Sequence, residues 1–112
     1  MAAGTYDIVI DQGSDFAIEI QVSQDDVNTN LATHTARAQL RPTPTSSTLT
    51  ATFTCSITNA SQGKIKMSLG NSTTAGITSG KYYYDLELLN TDDNSVTRLL
   101  QGVARVTPEV TR

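Results

Sequence analysis

Asp15-Phe16-Ala17-Ile18-Glu19-Ile20-Gln21-Val22 carries the clearest alternation of apolar and polar side chains in the chain. Phe16, Ile18, Ile20 and Val22 take every second position, with Asp15, Ala17, Glu19 and Gln21 between them. A helix would scatter those apolar side chains around its circumference, whereas a strand gathers them on one face. The segment therefore predicts a half-buried β-strand. The same period returns in the flanking segments. In Thr35–Arg41, Ala36, Ala38 and Leu40 alternate with Arg37, Gln39 and Arg41. Leu49, Ala51, Phe53, Cys55 and Ile57 alternate with a row of Thr50, Thr52, Thr54, Ser56 and Thr58. Ile65, Met67 and Leu69 follow, then Tyr82, Tyr84, Leu86 and Leu88. Tyr6–Ile10 opens the series. Val96–Val110 closes it less regularly, with Leu99 beside Leu100 and Gly102 in mid-run, a sign of a bulge or a close backbone contact.

Between these runs lie turn residues: Gln12-Gly13-Ser14, Asn59-Ala60-Ser61-Gln62-Gly63 and Asn90-Thr91-Asp92-Asp93-Asn94. Pro42 and Pro44 close the third strand, because proline has no N–H to give a ladder. The helical candidate is a single turn over Ser72–Ile77, with Ser72 as a possible cap. About seven short strands at roughly ten-residue spacing predict one antiparallel, immunoglobulin-like β-sandwich over residues 1–112, with Met1–Thr5 as a loose arm. Gly80 stands two residues before Tyr82 at a strand start. That spacing fits a tyrosine corner, whose phenol folds back on upstream backbone, or else an ordinary inward strand aromatic.

Composition removes several function classes. The 112 residues carry 8 Lys and Arg against 11 Asp and Glu, a net charge of −3, and only 17% are charged. Nucleic-acid binders show a clustered basic excess, so no nucleic-acid partner is expected. No apolar run approaches the roughly 20 residues of a membrane span, so no membrane partner is expected either. Met1-Ala2-Ala3-Gly4-Thr5 has neither the basic start nor the apolar run of a secretion signal, and the single Cys55 has no internal disulfide partner. Together these point to a chain made, or assembled, in a reducing cytoplasm.

The sequence offers little for catalysis. His34 is the only histidine and reads as a solvated strand-edge residue; Cys55 sits in the inward row and reads as a small core side chain. One histidine and one cysteine cannot complete a structural zinc cage. Gln24–Asn30 and Asp92-Asp93-Asn94 offer oxygens for calcium without the EF-hand spacing, and such residues are also ordinary turn formers. Glu19, Asp85 and Glu87 could pair across strands, but their outward phase makes them solvated surface. Gly63-Lys64 is no phosphate loop. Lys64, Lys66 and Lys81 make at most a small basic spot. For carbohydrate the chain has no Trp and one main outward aromatic, Tyr83. No catalytic residue, cofactor or metal ligand is assigned, and no enzyme is expected. The uncharged Thr row from Thr50 to Thr58 is either an exposed face chosen for β-propensity or a surface buried against partner subunits.

Five ordered segments carry a resemblance: Ile10-Asp11-Gln12-Gly13-Ser14-Asp15-Phe16, Thr35–Arg41, Gly63-Lys64-Ile65-Lys66-Met67-Ser68-Leu69, Gly80–Leu88 and Val96–Gly102. In order and spacing, from Tyr6 to Val110, they resemble a family of bacteriophage tail proteins. The resemblance is to the β-sandwich at the N-terminus of phage upper baseplate proteins, found also as small stand-alone proteins. It implies a non-enzymatic virion protein of the tail, a baseplate or fibre adaptor assembled in host cytoplasm. Its partners would be other tail, baseplate or fibre proteins in a homo-oligomeric or symmetric assembly. The family's recurring positions, Gly13, Phe16, Gly63, Gly80, Tyr82 and Tyr84, are turn and core positions here. Upper baseplate proteins continue beyond this module while the sequence stops at Arg112, so an adaptor or decoration is expected. The expected partner contacts are the Met1–Thr5 arm, the Pro42–Thr48 loop and the Asn90–Asn94 loop, above all Thr5, Pro42, Thr43, Pro44, Thr91, Asp92 and Asp93. The alternatives are a carbohydrate-binding module using Tyr83 and the Asp-rich loops, and a capsid-decoration module.

Overall fold

The computed structural model describes residues 4–24, 27, 28 and 30–111. The described strands are β1 (Gly4–Thr5), β2 (Ile8–Asp11), β3 (Phe16–Gln21), β4 (Ser23–Gln24), β5 (Val27–Asn28), β6 (His34–Arg41), β7 (Ala51–Asn59), β8 (Lys64–Leu69), β9 (Gly80–Asn90) and β10 (Val96–Thr107). One short helix, α1 (Asn71–Ala75), sits between β8 and β9.

The strands follow the order β1, β10, β9, β6, β7, β8, β3, with β2 also on β10 and the small β4–β5 pair apart. β7 belongs to both layers. Its start, Ala51–Phe53, pairs with β6, and from Thr54 to Asn59 it pairs with β8. The sheet therefore curls over on itself. β6, β9 and β10, flanked by β1 and β2, make one layer; β3, β8 and the rest of β7 make the other. Phe53 stands at the hand-over, its ring edge-on to Phe16 at 6.1 Å and to Tyr84 at 6.2 Å. Both layers drain into one core that includes Ile10, Leu40, Ile65, Met67, Leu86 and Val106. Each such side chain contributes about 1.5–3 kcal/mol by leaving water. This is the expected all-β, immunoglobulin-like sandwich.

It is not wholly antiparallel. β1 and β2 run parallel to β10, through Gly4 opposite Leu100 and Ile8–Asp11 opposite Ala104–Thr107. The cause lies in the turn after β2, where Gly13 takes φ +84°, a value natural to glycine. The turn carries the chain across to the other layer as β3, so β2 finds its neighbour at the far end of the sequence. Gly4 and Thr5, expected in a loose arm, are paired residues of β1; Met1–Ala3 lie outside the described residues.

The irregularity of the last run resolves into two features. A bulge falls between Arg98 and Leu100. Gly102 marks a close approach: a Cβ there would run into the Tyr6 carbonyl oxygen. Leu49, expected inward, is 45% exposed, because β7 starts only at Ala51 and the preceding residue is held by Thr50 N–H donating to Leu40 O at 2.9 Å. α1 begins one residue earlier than expected and is capped by neither Ser72 nor its own N-cap residue Gly70. Asp15 does that work from another segment, accepting the Asn71 N–H at 2.8 Å.

Candidate functional site

Tyr82 forms the corner: its phenol donates to the Thr78 carbonyl at 2.6 Å. Gly80, at φ +150°, makes the bend that lets it do so. Gly63, at φ +70°, closes the turn into β8 and accepts the Val22 N–H at 2.7 Å. Phe16 is half-buried against Phe53. Tyr84 is buried, and its phenol donates to the Tyr6 carbonyl. Burial, then the charges of Asp7 and Tyr6, pushes that phenol up to about 12.

One polar residue of structural weight escaped the alternation pattern. Thr74 of α1 is fully buried. Its hydroxyl donates to Ser14 O at 2.8 Å and accepts the Gly13 N–H at 3.1 Å, pinning the β2–β3 turn. Beside it Gln12 donates to Ile77 O at 2.8 Å and accepts the Glu109 N–H at 3.0 Å. A single threonine in a Ser/Thr-rich stretch gives no local signal that a distant turn will need its hydroxyl.

The outward face of β6, β9 and β10 is where side chains gather. Cross-strand neighbours put Arg37 beside Glu87, Gln39 beside Asp85 and Arg41 beside Tyr83. On the other side Asp85 faces Gln101, Tyr83 faces Val103 and Lys81 faces Arg105. Gln39, Arg41, Tyr83, Asp85, Gln101 and Val103 of these rows line a groove of about 470 Å³, with Thr5, Asp7 and Pro44 at its sides; Lys81 and Arg105 stand just beyond it. Arg37 Nε meets Glu87 Oε1 at 2.9 Å and Arg98 Nε meets Asp85 Oδ2 at 3.5 Å. Burial, then Glu87, raises the Asp85 carboxyl above its ordinary value, against the pull of Arg98, Arg41 and Arg37. Arg41 donates to Gln39 Oε1 at 2.9 Å and to Ser46 O at 3.3 Å, which ties the Pro42–Thr48 loop to the groove's rim. The Lys81 ammonium lies 5.4 Å from the centre of the Tyr83 ring.

Of the expected contacts, Thr5 and Pro44 thus meet across one groove. Pro42 and Thr43 lie in the adjoining loop. Thr91, Asp92 and Asp93 do not join them: their turn continues from Asn90, which pairs with His34 at the opposite end of the β6–β9 ladder from Arg41 and Tyr83. The tip is locally knit. Thr91 N–H donates to Thr33 O at 2.8 Å, Asp92 N–H to Asn90 Oδ1 at 3.0 Å, and Asn94 takes φ +59°.

The groove itself missed detection in the sequence because it is built from the outward phase of three strands distant in the chain. The other chemical candidates lie apart. Cys55 is half-buried beside the core, where burial pushes its thiol up. His34 is half-buried at the start of β6 rather than freely solvated, its Nδ1 shielded and without a hydrogen-bond partner among the described residues. Among the described residues, no three of His, Cys, Asp and Glu cluster as a metal cage would need. No described helix is long and apolar enough to cross a membrane.

No protein-family model matches the chain, and no curated protein matches it. Among solved structures, the chain is similar to one from photo-crosslinking analyses of multimeric cell-adhesive interactions of VGSC beta subunits. That similarity spans 97% of this chain and 98% of the other at 11% identity, with a TM-score of 0.46.

Proposed function

We propose that this chain is a non-enzymatic structural protein of a phage virion, a tail, baseplate or fibre adaptor that binds neighbouring proteins through the outward face of β6, β9 and β10. The observation that carries the docking part is the groove of about 470 Å³ whose walls are Thr5 and Pro44. It joins two expected contact segments, otherwise far apart in sequence, on one rigid face. Sites on strands hold their shape without a partner, which lowers the ordering cost of binding. The phage part of the reading is supported by the five ordered segments that resemble tail proteins, from Ile10–Phe16 to Val96–Gly102.

Mass spectrometry of purified virions tests it, with the wild type compared against Val103→Arg, which places a long charged side chain on the groove floor. Several copies per particle for the wild type, and loss of incorporation for the folded variant, support the reading. Absence of the wild type from virions overturns the phage assignment, and undiminished incorporation of Val103→Arg overturns the choice of face.

A further inference from the structure

We infer that the Thr91–Asn94 turn of one copy docks on the Arg41–Lys81–Arg105 strip of a second copy, a head-to-tail contact between two molecules of this chain. The inference names the occupant of the docking face proposed above and rests on that reading.

Charge is unevenly spread over the molecule. Among the described residues, Arg37, Arg41, Lys81, Arg98 and Arg105 stand on the outward face of β6, β9 and β10, against Asp85 and Glu87 on the same strands and Asp7 at the groove's flank. That face is cationic on a chain whose net charge is −3, so the rest of the molecule is strongly anionic. The imbalance concentrates further within the face. Arg37 and Arg98 are matched by Glu87 and Asp85. Among the described residues, Arg41, Lys81 and Arg105 form no ion pair. Arg41, half-buried at the groove, donates to the neutral acceptors Gln39 and Ser46 with Asp85 within reach of its charge, and Lys81 meets the Tyr83 ring. Three cations outside any described ion pair, in register around one tyrosine and one valine, form a strip suited to a short acidic segment.

Such a segment stands at the other end of the same sheet. Asp92 and Asp93 are exposed at the β9–β10 tip, on a turn held by hydrogen bonds rather than left loose. Hydrogen bonds from Ser95, its side chain first and its backbone N–H next, keep the Asp93 carboxyl below its ordinary value and hence charged. The tip cannot satisfy its own strip. From the His34 level to the Arg41 level is seven strand steps, roughly 24 Å at about 3.4 Å per residue. A second copy has no such restriction. Because strip and tip are different patches, the contact is heterologous and repeats, giving a ring or an open row rather than a closed pair. Each contact is modest, since exposed ion pairs are screened by salt, and neighbouring contacts in a row reinforce one another.

The test is sedimentation equilibrium of the full chain over a concentration series, at about 50 mM and about 500 mM NaCl, where screening differs severalfold. Wild type is expected to grow in average mass with concentration at low salt, with association at least about tenfold weaker at high salt. Two variants break it separately: Arg41→Glu with Lys81→Glu reverses the strip, and Asp92→Lys with Asp93→Asn reverses the tip while keeping the acceptor for Ser95. Each alone is expected to stay monomeric, and an equimolar mixture to associate again, because each reversed patch then meets its complement. The mixture also guards against a variant that simply fails to fold. A wild type monomeric throughout, a tip variant that associates like the wild type, or a mixture that stays monomeric overturns head-to-tail docking. In any of those cases wild-type incorporation into virions would leave the adaptor reading standing, with the strip serving another protein.

Discussion

Gly102 and Tyr84 face each other across the β9–β10 ladder, and both act on the carbonyl of Tyr6. Tyr84 reaches it with its phenol, and Gly102 admits it by having no side chain. Around this point the N-terminal strand is interrupted: Tyr6 N–H donates to Gln101 O at 2.9 Å, and the Asp7 carboxylate accepts the Val103 N–H at 3.0 Å. β1 and β2 are therefore two halves of one strand hinged over Gly102.

Gly102→Ala is expected to push that crossing off the sheet, since backbone cannot yield as a flexible side chain would. The cost is about 1–3 kcal/mol of unfolding free energy. Limited proteolysis should cut earlier within residues 4–11 of the variant than of the wild type. Equal protection would show that the crossing relaxes without loss.

Tyr84 gives the fold a distinct response to alkali. Its phenol sits at about 12 in the folded chain against an ordinary 10.0, so the unfolded chain loses the proton first. The stability from this group is whole below about pH 10 and is lost as the pH climbs towards 12. Urea midpoints measured across that window should fall, and the fall should be smaller in Tyr84→Phe. That variant should also be weaker at neutral pH by about 1 kcal/mol, the net worth of a typical hydrogen bond.

Thr74→Val keeps the shape of the side chain and removes the hydroxyl, leaving Gly13 N–H and Ser14 O without their partner. A loss of about 1–3 kcal/mol is expected. Thr74→Ser, which keeps the hydroxyl and gives up one methyl, should lose less, about 0.8 kcal/mol. Chemical denaturation of the pair separates the two terms, and equal losses would assign Thr74 to packing alone.

Asp85→Asn should cost nothing. Burial and Glu87 raise the carboxyl's proton affinity despite three nearby arginines, so whatever stability this group lends is present below its ordinary value of 3.8 and lost as the pH rises through the folded value. At neutral pH its charge is thus a net burden. The denaturation midpoint of the variant should equal or exceed that of the wild type; a loss above about 0.5 kcal/mol would mean that the Arg98 contact outweighs burial.

Much of the fold was legible in the sequence because alternation is local. Phe16–Val22, Ala36–Leu40 and Tyr82–Leu88 each turn the expected residues towards the core, and the glycines at 13, 63 and 80 mark the expected bends. What pairs with what was not legible. Ile8 and Ile10 show the same pattern whether their strand lies parallel to β10 or antiparallel to β3. The hand-over within β7 leaves no mark either, since Ala51, Phe53 and Cys55 keep one phase while their neighbour changes. The groove was half legible: Thr5 and Pro44 were singled out as polar or turn residues near strand ends, but the cations beside Tyr83 come together only through cross-strand register.

The parallel seating of β2 on β10 has a mechanical consequence. The chain enters this ladder at Ile8, opposite Ala104, and leaves it at Thr107, opposite Asp11. A pull applied through the two ends of the domain runs in opposite directions along these adjacent strands. It loads their rungs sideways and together, where an antiparallel hairpin pulled from its open end would unzip one rung at a time. A module fixed at both ends in a larger assembly would therefore resist stretching along this axis far better than its modest core would suggest.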